Sequence, residues 1–317
     1  MNIGFDMMGG DFAPEQAVKG LSIYLQQHPN VAAIVFCIGD AEKITPLLEA
    51  YQILDKVKVV NAPEVIGYHE HPTKAFKEKP NSSIAIGFKM LAQKEIDAFI
   101  SAGNTGAMLV GSMFSIKAVE GVLRPTIATL IPKLNGKLGL LLDVGLNADC
   151  KPEQLNQFAQ LGSIYASTIL QIEDPKVALV NVGEEEGKGN ILSQAAYGLL
   201  KENNSINFVG NIEGRDFFAD KADVMVCDGF TGNIVLKMAE GFYEIAHIRG
   251  FAKDEYMSRF HYENYGGTPV LGVSKPVIIG HGISNDIAFK NMIDLAAKMI
   301  ESDFCSIMTK QIVPSKS

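Results

Sequence analysis

The sequence predicts an α/β fold built on a largely parallel sheet, and three observations carry that reading. Along the 317 residues a unit recurs in which a short apolar, β-rich run meets a Gly/Asn/Asp turn and then a helical pattern. The runs are continuously apolar rather than alternating, as strands covered on both faces are. Hydrophobic residues make up 47% and charged residues 20%, enough for one large core or two modest ones. No Pro-rich linker, low-complexity tract or internal repeat divides the chain, so residues 1–317 are read as a single unit.

In chain order, Ala98–Ile100 leads into SAGNTG (101–106) and Leu138–Leu142 into DVGLNAD (143–149). Val177–Val182 leads into GEEEGKGN (183–190), Val224–Cys227 into DGFTGN (228–233), and Pro276–Ile279 into GHGISND (280–286). In parallel sheets ligands gather at the carboxyl ends of strands, where all these loops would lie. The most apolar stretch, Gly106 to Ile116, stops at Lys117 and is too short for a bilayer of about 30 Å, so it reads as a buried helix. Pro152 suits a first helical turn and predicts a helix through Gln154–Leu170. After Asn233, the residues Ile234, Val235, Met238, Phe242 and Ile245 form an apolar stripe at helical spacing. Gly250–Gly267 breaks the rhythm. It sets Phe251, Tyr256, Met257, Phe260, Tyr262 and Tyr265 among charges and reads as an exposed, projecting excursion around 240–265.

A net charge of −8 without any basic stripe argues against a nucleic-acid partner. Cys37, Cys150, Cys227 and Cys305 are far apart, which fits free thiols in a reducing compartment. The opening MNIGFDMMGGD has neither a basic n-region nor a long apolar run, so a cytoplasmic address is expected.

Several chemistries lack their motifs. No G-x-G-x-x-G follows a strand, no G-x-S-x-G elbow is present, and GEEEGKG is one residue short of a P-loop. His69-x-His71 precedes Pro72 in a polar stretch and reads as a solvated loop, so neither metal nor cofactor is expected. What the loops do offer is glycine beside Asn, Thr and Ser at helix starts, where backbone N–H groups and the helix dipole favour an anion. The plainer alternative is N-capping by Asn104 or Thr231. Lys188, between two glycines, either presents its ammonium to a phosphate or oxyanion, or pairs with Glu184, Glu185 or Glu186. Asn233 either donates to the same oxyanion or caps the following helix. Asp6, Asp11, Asp143 and Asp149 lie in Gly- or Asn-containing turns, where most are expected to hold loop amides.

Taken together, DMMGGDFAPE (6–15), SAGNTGAM, RPTIA (124–128), LLDVGLNADC, VNVGEEEGKGN, GNIEGRD (210–216), VCDGFTGNIVLK, YGGTPVLGV (265–273) and GHGISN resemble the phosphate acyltransferase family PlsX, in consistent order to about residue 295. The resemblance implies a three-layer α/β/α sandwich like that of the isocitrate and isopropylmalate dehydrogenases, usually a homodimer. It implies transfer of a long-chain acyl group from acyl carrier protein to inorganic phosphate, the acyl phosphate then feeding a membrane glycerol-3-phosphate acyltransferase. It carries Lys188 and Asn233 over as catalytic. Substrate contacts are expected at Gly9, Gly10, Asp11, Ser101, Asn104, Thr105, Gly106, Asn147, Gly232, His281 and Asn285, and loop-shaping at Asp6, Asp143, Asp149 and Asp228.

The residue chemistry agrees with this. Phosphate is already a substantial dianion at neutral pH, its second pKa being about 6 by analogy with phosphate monoesters. A thiolate, of free pKa about 8.5, leaves without a strong acid. Positioning and oxyanion stabilisation therefore suffice, with phosphate attacking directly. Departures from the family pattern are Met7 and Leu146 where alanine is common, and a shorter 240–265 region. In the family that region serves dimerisation and membrane contact; here Phe251, Tyr256, Met257 and Phe260 form either an apolar tip, with Lys253 and Arg259 near lipid headgroups, or a dimer contact or solvated hairpin. Arg215, Lys221, Arg249 and Arg259 are candidates for docking the acidic carrier. The rivals are a short-chain transacylase using acyl-coenzyme A, a dehydrogenase of related fold, and a noncatalytic acyl- or phosphate-binding protein.

Overall fold

The structure is a computed structural model that describes residues 1–312 except residue 252; the side chain of Tyr262 also lies outside the described residues. The described chain forms two compact units, residues 1–119 with 262–305, and residues 120–261 with 306–312. The first begins with β1 (Asn2–Asp6), α1 (Glu15–Gln27), β2 (Ile34–Gly39), α2 (Ala41–Ala50) and β3 (Val57–Asn61). It continues through α3 (Pro72–Glu78), α4 (Ser83–Ala92), β4 (Ala98–Ser101) and α5 (Thr105–Gly111). The second unit holds β5 (Thr126–Pro132), β6 (Leu138–Leu142), α6 (Pro152–Thr168), β7 (Lys176–Val180) and α7 (Ile191–Glu202). β8 (Asn207–Ile212), β9 (Val224–Val226), α8 (Gly229–Ile248) and α9 (Glu255–Ser258) complete it. The chain returns to the first unit with β10 (Thr268–Leu271), β11 (Val277–Ile279) and α10 (Asp286–Glu301), and ends in α11 (Phe304–Ile312).

Each unit is a mostly parallel α/β layer, as the continuously apolar runs predict. In the first, the strand order is β3-β2-β1-β4-β11-β10, with only β10–β11 antiparallel. In the second it is β5-β6-β9-β7-β8, with only β5–β6 antiparallel. All four residues of β4 and all three of β9 are buried. Packing is close: a methyl at Gly87 would lie 2.1 Å from the Phe99 ring, which itself meets Phe88 edge-on at 5.1 Å.

Three expectations change in the structure. The apolar stretch after Gly106 is helical only to Gly111; a π turn at Ser112–Ile116 then exposes Met113 and Phe114. α8 starts at Gly229, before Asn233, and its stripe of Ile234, Met238, Phe242 and Ile245 faces outward, Phe242 being 59% exposed. The segment around α9 is anchored rather than free. Tyr256 Oη donates to Pro132 O at 2.9 Å, Arg259 donates to Lys133 O and Lys137 O at 3.1 and 2.8 Å, and Phe260 meets Phe218 edge-on. These bonds tie it to the β5–β6 hairpin, so Arg259, Tyr256 and Phe260 do not form a tip; Phe251 stays exposed.

The start of α8 depends on glycine. A methyl at Gly232 would lie 1.9 Å from the Asp143 carbonyl oxygen, so only glycine lets the helix seat on the end of β6. Gly232→Ala is expected to lower unfolding free energy by about 1–3 kcal/mol, the usual cost of overpacking, measured by chemical denaturation.

Candidate active site

In the first unit the loops after β1 and β4 interlock. Asp6, fully buried, accepts hydrogen bonds from Met8 N at 2.9 Å and Ser101 Oγ at 2.6 Å, while Ser101 Oγ accepts from Gly103 N at 2.9 Å. Burial pushes the Asp6 carboxyl up, and the hydrogen bond from Ser101 pulls it back. Gly9 fits because a methyl there would lie 2.5 Å from Gly103 N, and Gly10 takes φ +109°. Asn104 caps α5, its Oδ1 accepting from Ala107 N at 2.9 Å, and its Nδ2 donates to Gly67 O at 2.9 Å. Asn285 caps α10 through Ala288 N and donates to Glu263. Ser101, Asn104 and Asn285 are thus already bonded within the protein. Gly106 abuts Pro72, Asp11 and Thr105 are exposed, and His281 O accepts from Ser284 Oγ at 2.6 Å. Tyr68, which the sequence did not single out, donates its hydroxyl to Ala102 O at 3.0 Å and stacks its ring edge near Gly282. Burial pushes its pKa up to about 12, keeping it a donor.

In the second unit Asp143 is the hub. It is fully buried, and its Oδ1 accepts from the backbone N–H groups of Ile127, Gly145 and Leu146 at 3.3, 3.3 and 3.2 Å. Its Oδ2 accepts from Asn147 N at 2.6 Å and Asn147 Nδ2 at 2.8 Å. Amide donors in place of a cation hold this carboxylate. Asn147 Nδ2 also donates to Pro125 O, so Asn147 serves the loop instead of facing a ligand. Asp228 caps α8, accepting from Thr231 N at 2.8 Å and Thr231 Oγ1 at 2.9 Å. The cap is therefore Asp228, not Thr231 or Asn233. Asn233 sits one turn further on, exposed, with its Oδ1 3.4 Å from the position a methyl on Gly145 would take. Gly232 is buried and serves packing. Asp149 is exposed and bonds no loop amide among the described residues, so it does not shape its loop as expected.

The loop bearing Lys188 is held from several sides. Asn181 Nδ2 donates to Lys188 O at 3.1 Å and to Asn211 Oδ1 at 3.1 Å, and Asn211 Nδ2 donates to Glu185 O at 2.9 Å. Gln194 Nε2 donates to Gly187 O and Gly189 O at 3.0 and 3.1 Å. Glu184 pairs with Lys221 at 2.7 Å and Glu186 with Lys201 at 2.9 Å. The neighbouring glutamates thus pin the loop to its surroundings. Lys188 is exposed and makes no ion pair among the described residues, which removes the alternative of a lysine spent on its own glutamates. Sequence spacing found the lysine but not the Asn181, Asn211 and Gln194 clamp, which β7, β8 and α7 bring together. Between the Lys188 loop and the start of α8 lies a pocket of about 200 Å³, bordered by Gly189 and Asn190 on one side and Asp228 and Thr231 on the other.

The architecture defines a class of proteins first. A phosphotransacetylase from Streptococcus pyogenes has a similar fold, with a TM-score of 0.64, 17% identity and coverage of 95% of this chain and 94% of its own. A branched-chain phosphotransacylase from Enterococcus faecalis is similar too, with a TM-score of 0.64, 14% identity and coverage of 95% and 99%. Sequence then narrows the class. The Fatty acid synthesis protein family matches residues 1–307. A phosphate acyltransferase from Dictyoglomus thermophilum is 42% identical over 95% of this chain and 94% of its own. Another, from Halothermothrix orenii, is 40% identical over 98% of both. The chain belongs to this family, the PlsX phosphate acyltransferases, and is an acyltransferase of lipid synthesis.

Replacing Asp143 by alanine strands five N–H donors in the interior. Asp143→Ala is expected to cost at least about 2 kcal/mol in denaturant unfolding, and Cys227, whose thiol donates to Asp143 O, is expected to become open to thiol reagents.

Proposed function

We propose that this enzyme transfers a long-chain acyl group from acyl carrier protein to inorganic phosphate, releasing acyl phosphate for phospholipid synthesis. The single observation that carries the mechanism is the unpaired ammonium of Lys188 on a clamped loop. An oxyanion stabiliser is worth most when it is fixed in place before charge develops and owes nothing to a carboxylate. A phosphate oxygen attacks the thioester carbonyl carbon, the carbonyl oxygen takes up negative charge beside Lys188 and Asn233, and the C–S bond breaks to release the carrier thiolate, which takes a proton from water. The substrate contacts of the first unit rest on its backbone N–H groups and on the exposed Asp11 and Thr105, since Ser101, Asn104 and Asn285 are engaged within the protein.

Direct attack is favoured by the state of the thiols. Burial pushes Cys150 up to about 11 and Cys227 well above its ordinary range, so both stay protonated at neutral pH and are poor nucleophiles. Of the basic residues considered for carrier docking, Arg215 pairs with Glu213, Lys221 with Glu184 and Asp216, and Arg259 with backbone carbonyls, which leaves Arg249, exposed at the end of α8. The outward apolar stripe of α8 suits the interface of a homodimer. Among the described residues no helix is long and apolar enough to cross a membrane. A cytoplasmic enzyme, peripheral at the membrane where a glycerol-3-phosphate acyltransferase consumes its product, fits this reading.

Palmitoyl carrier protein incubated with phosphate and enzyme is expected to yield free carrier and palmitoyl phosphate in equal amounts. Carrier release without phosphate, or turnover of acetyl-coenzyme A alone, would contradict the assignment. Lys188→Ala is expected to lower turnover roughly 10²–10³-fold. Mass spectrometry of the enzyme quenched during turnover should find no acyl-cysteine.

A further inference from the structure

The pocket beside the Lys188 loop lies where the chain leaves two neighbouring strands in opposite directions. β7 and β9 are adjacent and parallel. From β7 the chain passes through α7 outward to β8, whereas from β9 it enters α8, which seats on the end of β6 through Gly232. Such a divergence opens a crevice at the carboxyl ends of the strands, the preferred place for a ligand in an open α/β sheet. Here the crevice is the pocket of about 200 Å³.

Its lining shows which part of a ligand it suits. The polar side chains around it are already bonded to their own neighbours. Asn190 Oδ1 accepts from Ser193 N and Oγ at 2.8 and 3.0 Å, and Asp228 from Thr231 N and Oγ1 at 2.8 and 2.9 Å. Asn181 is bound to Lys188 O, Asn211 and Val182 N. The other lining side chains are the apolar Leu155, Leu179, Val180 and Leu192, with Val182 exposed at the mouth and Cys227, whose thiol is bonded to Asp143 O. A phosphate would find no cation among these lining residues and would meet the Asp228 carboxylate. The amides of a pantetheine arm would go unpaired. An alkyl chain asks for no partner and gains from leaving water.

We infer that this crevice between β7 and β9 is the subsite for the alkyl chain of the acyl donor, entered past the Lys188 loop. The inference rests on the reaction proposed above. It makes Leu192, at the start of α7, and Val182, exposed at the mouth, specificity-determining residues, and it separates the chain from the phosphate, which binds elsewhere.

The test fills the crevice from two sides with Leu192→Trp and Val182→Trp in the full-length enzyme, the second at a position 80% exposed where a large side chain does not strain the core. With palmitoyl carrier protein and inorganic phosphate as substrates, both variants are expected to raise the KM for the palmitoyl donor at least about tenfold. The KM for phosphate should stay within about twofold of the unmutated enzyme, and the rise should be smaller for an octanoyl donor. An unchanged donor KM in Val182→Trp, or a parallel rise in both KM values, overturns the subsite while leaving the reaction standing. If the unmutated enzyme shows no phosphate-dependent turnover, the proposed reaction falls, and the subsite with it.

Discussion

The second unit depends on one buried carboxylate. Asp143 ends β6 inside the protein with five N–H donors on its two oxygens, and no cation among them. That arrangement closes the 143–147 loop into one shape. The loop in turn receives α8: Gly229 N donates to Asn147 O, Cys227 N to Leu142 O, and Gly232 lies flat against Asp143 O. Asn233 then projects beside Gly145 because the helix can seat in only one way. One buried side chain thus fixes where Asn233, the residue proposed to support the oxyanion, stands.

Lys188 is placed by different means. Its loop carries glycines that would otherwise let it wander, and φ +95° at Gly189 is a conformation most side chains avoid. Order comes from amide side chains that bind the loop's carbonyls and from glutamates that reach outward to Lys201 and Lys221. The acidic run looks hostile to phosphate when read as a string of charges. In three dimensions two of the three charges are neutralised away from the lysine, and the run becomes scaffolding.

The legibility of the sequence followed the range of the interactions. Strands β4, β6, β7, β9 and β11 were readable because an apolar run ending in Gly/Asn/Asp is a local signal. The motifs named the family and drew attention to Lys188 and Asn233. Whether Lys188 was paired was not readable, since Lys201 and Lys221 lie 15 and 37 residues from the glutamates they bind. Nor was the Asn181–Asn211 contact across 30 residues, or the inward commitment of Asn104 and Asn147. The outward face of α8 misled for the same reason: a helical stripe gives a direction but not what lies on either side of it. The α9 segment, taken for a free excursion, is tied down by bonds to carbonyls more than 120 residues away.

The central claim is that Lys188 is kept unpaired in order to meet charge on the substrate. A crystal structure with inorganic phosphate and a non-hydrolysable palmitoyl thioether analogue of the donor tests it most directly. The account predicts the Lys188 ammonium within hydrogen-bond distance of the carbonyl oxygen or of a phosphate oxygen, with the Glu184 and Glu186 pairs intact. An ammonium turned back onto those glutamates, with both ligands bound elsewhere, would contradict it.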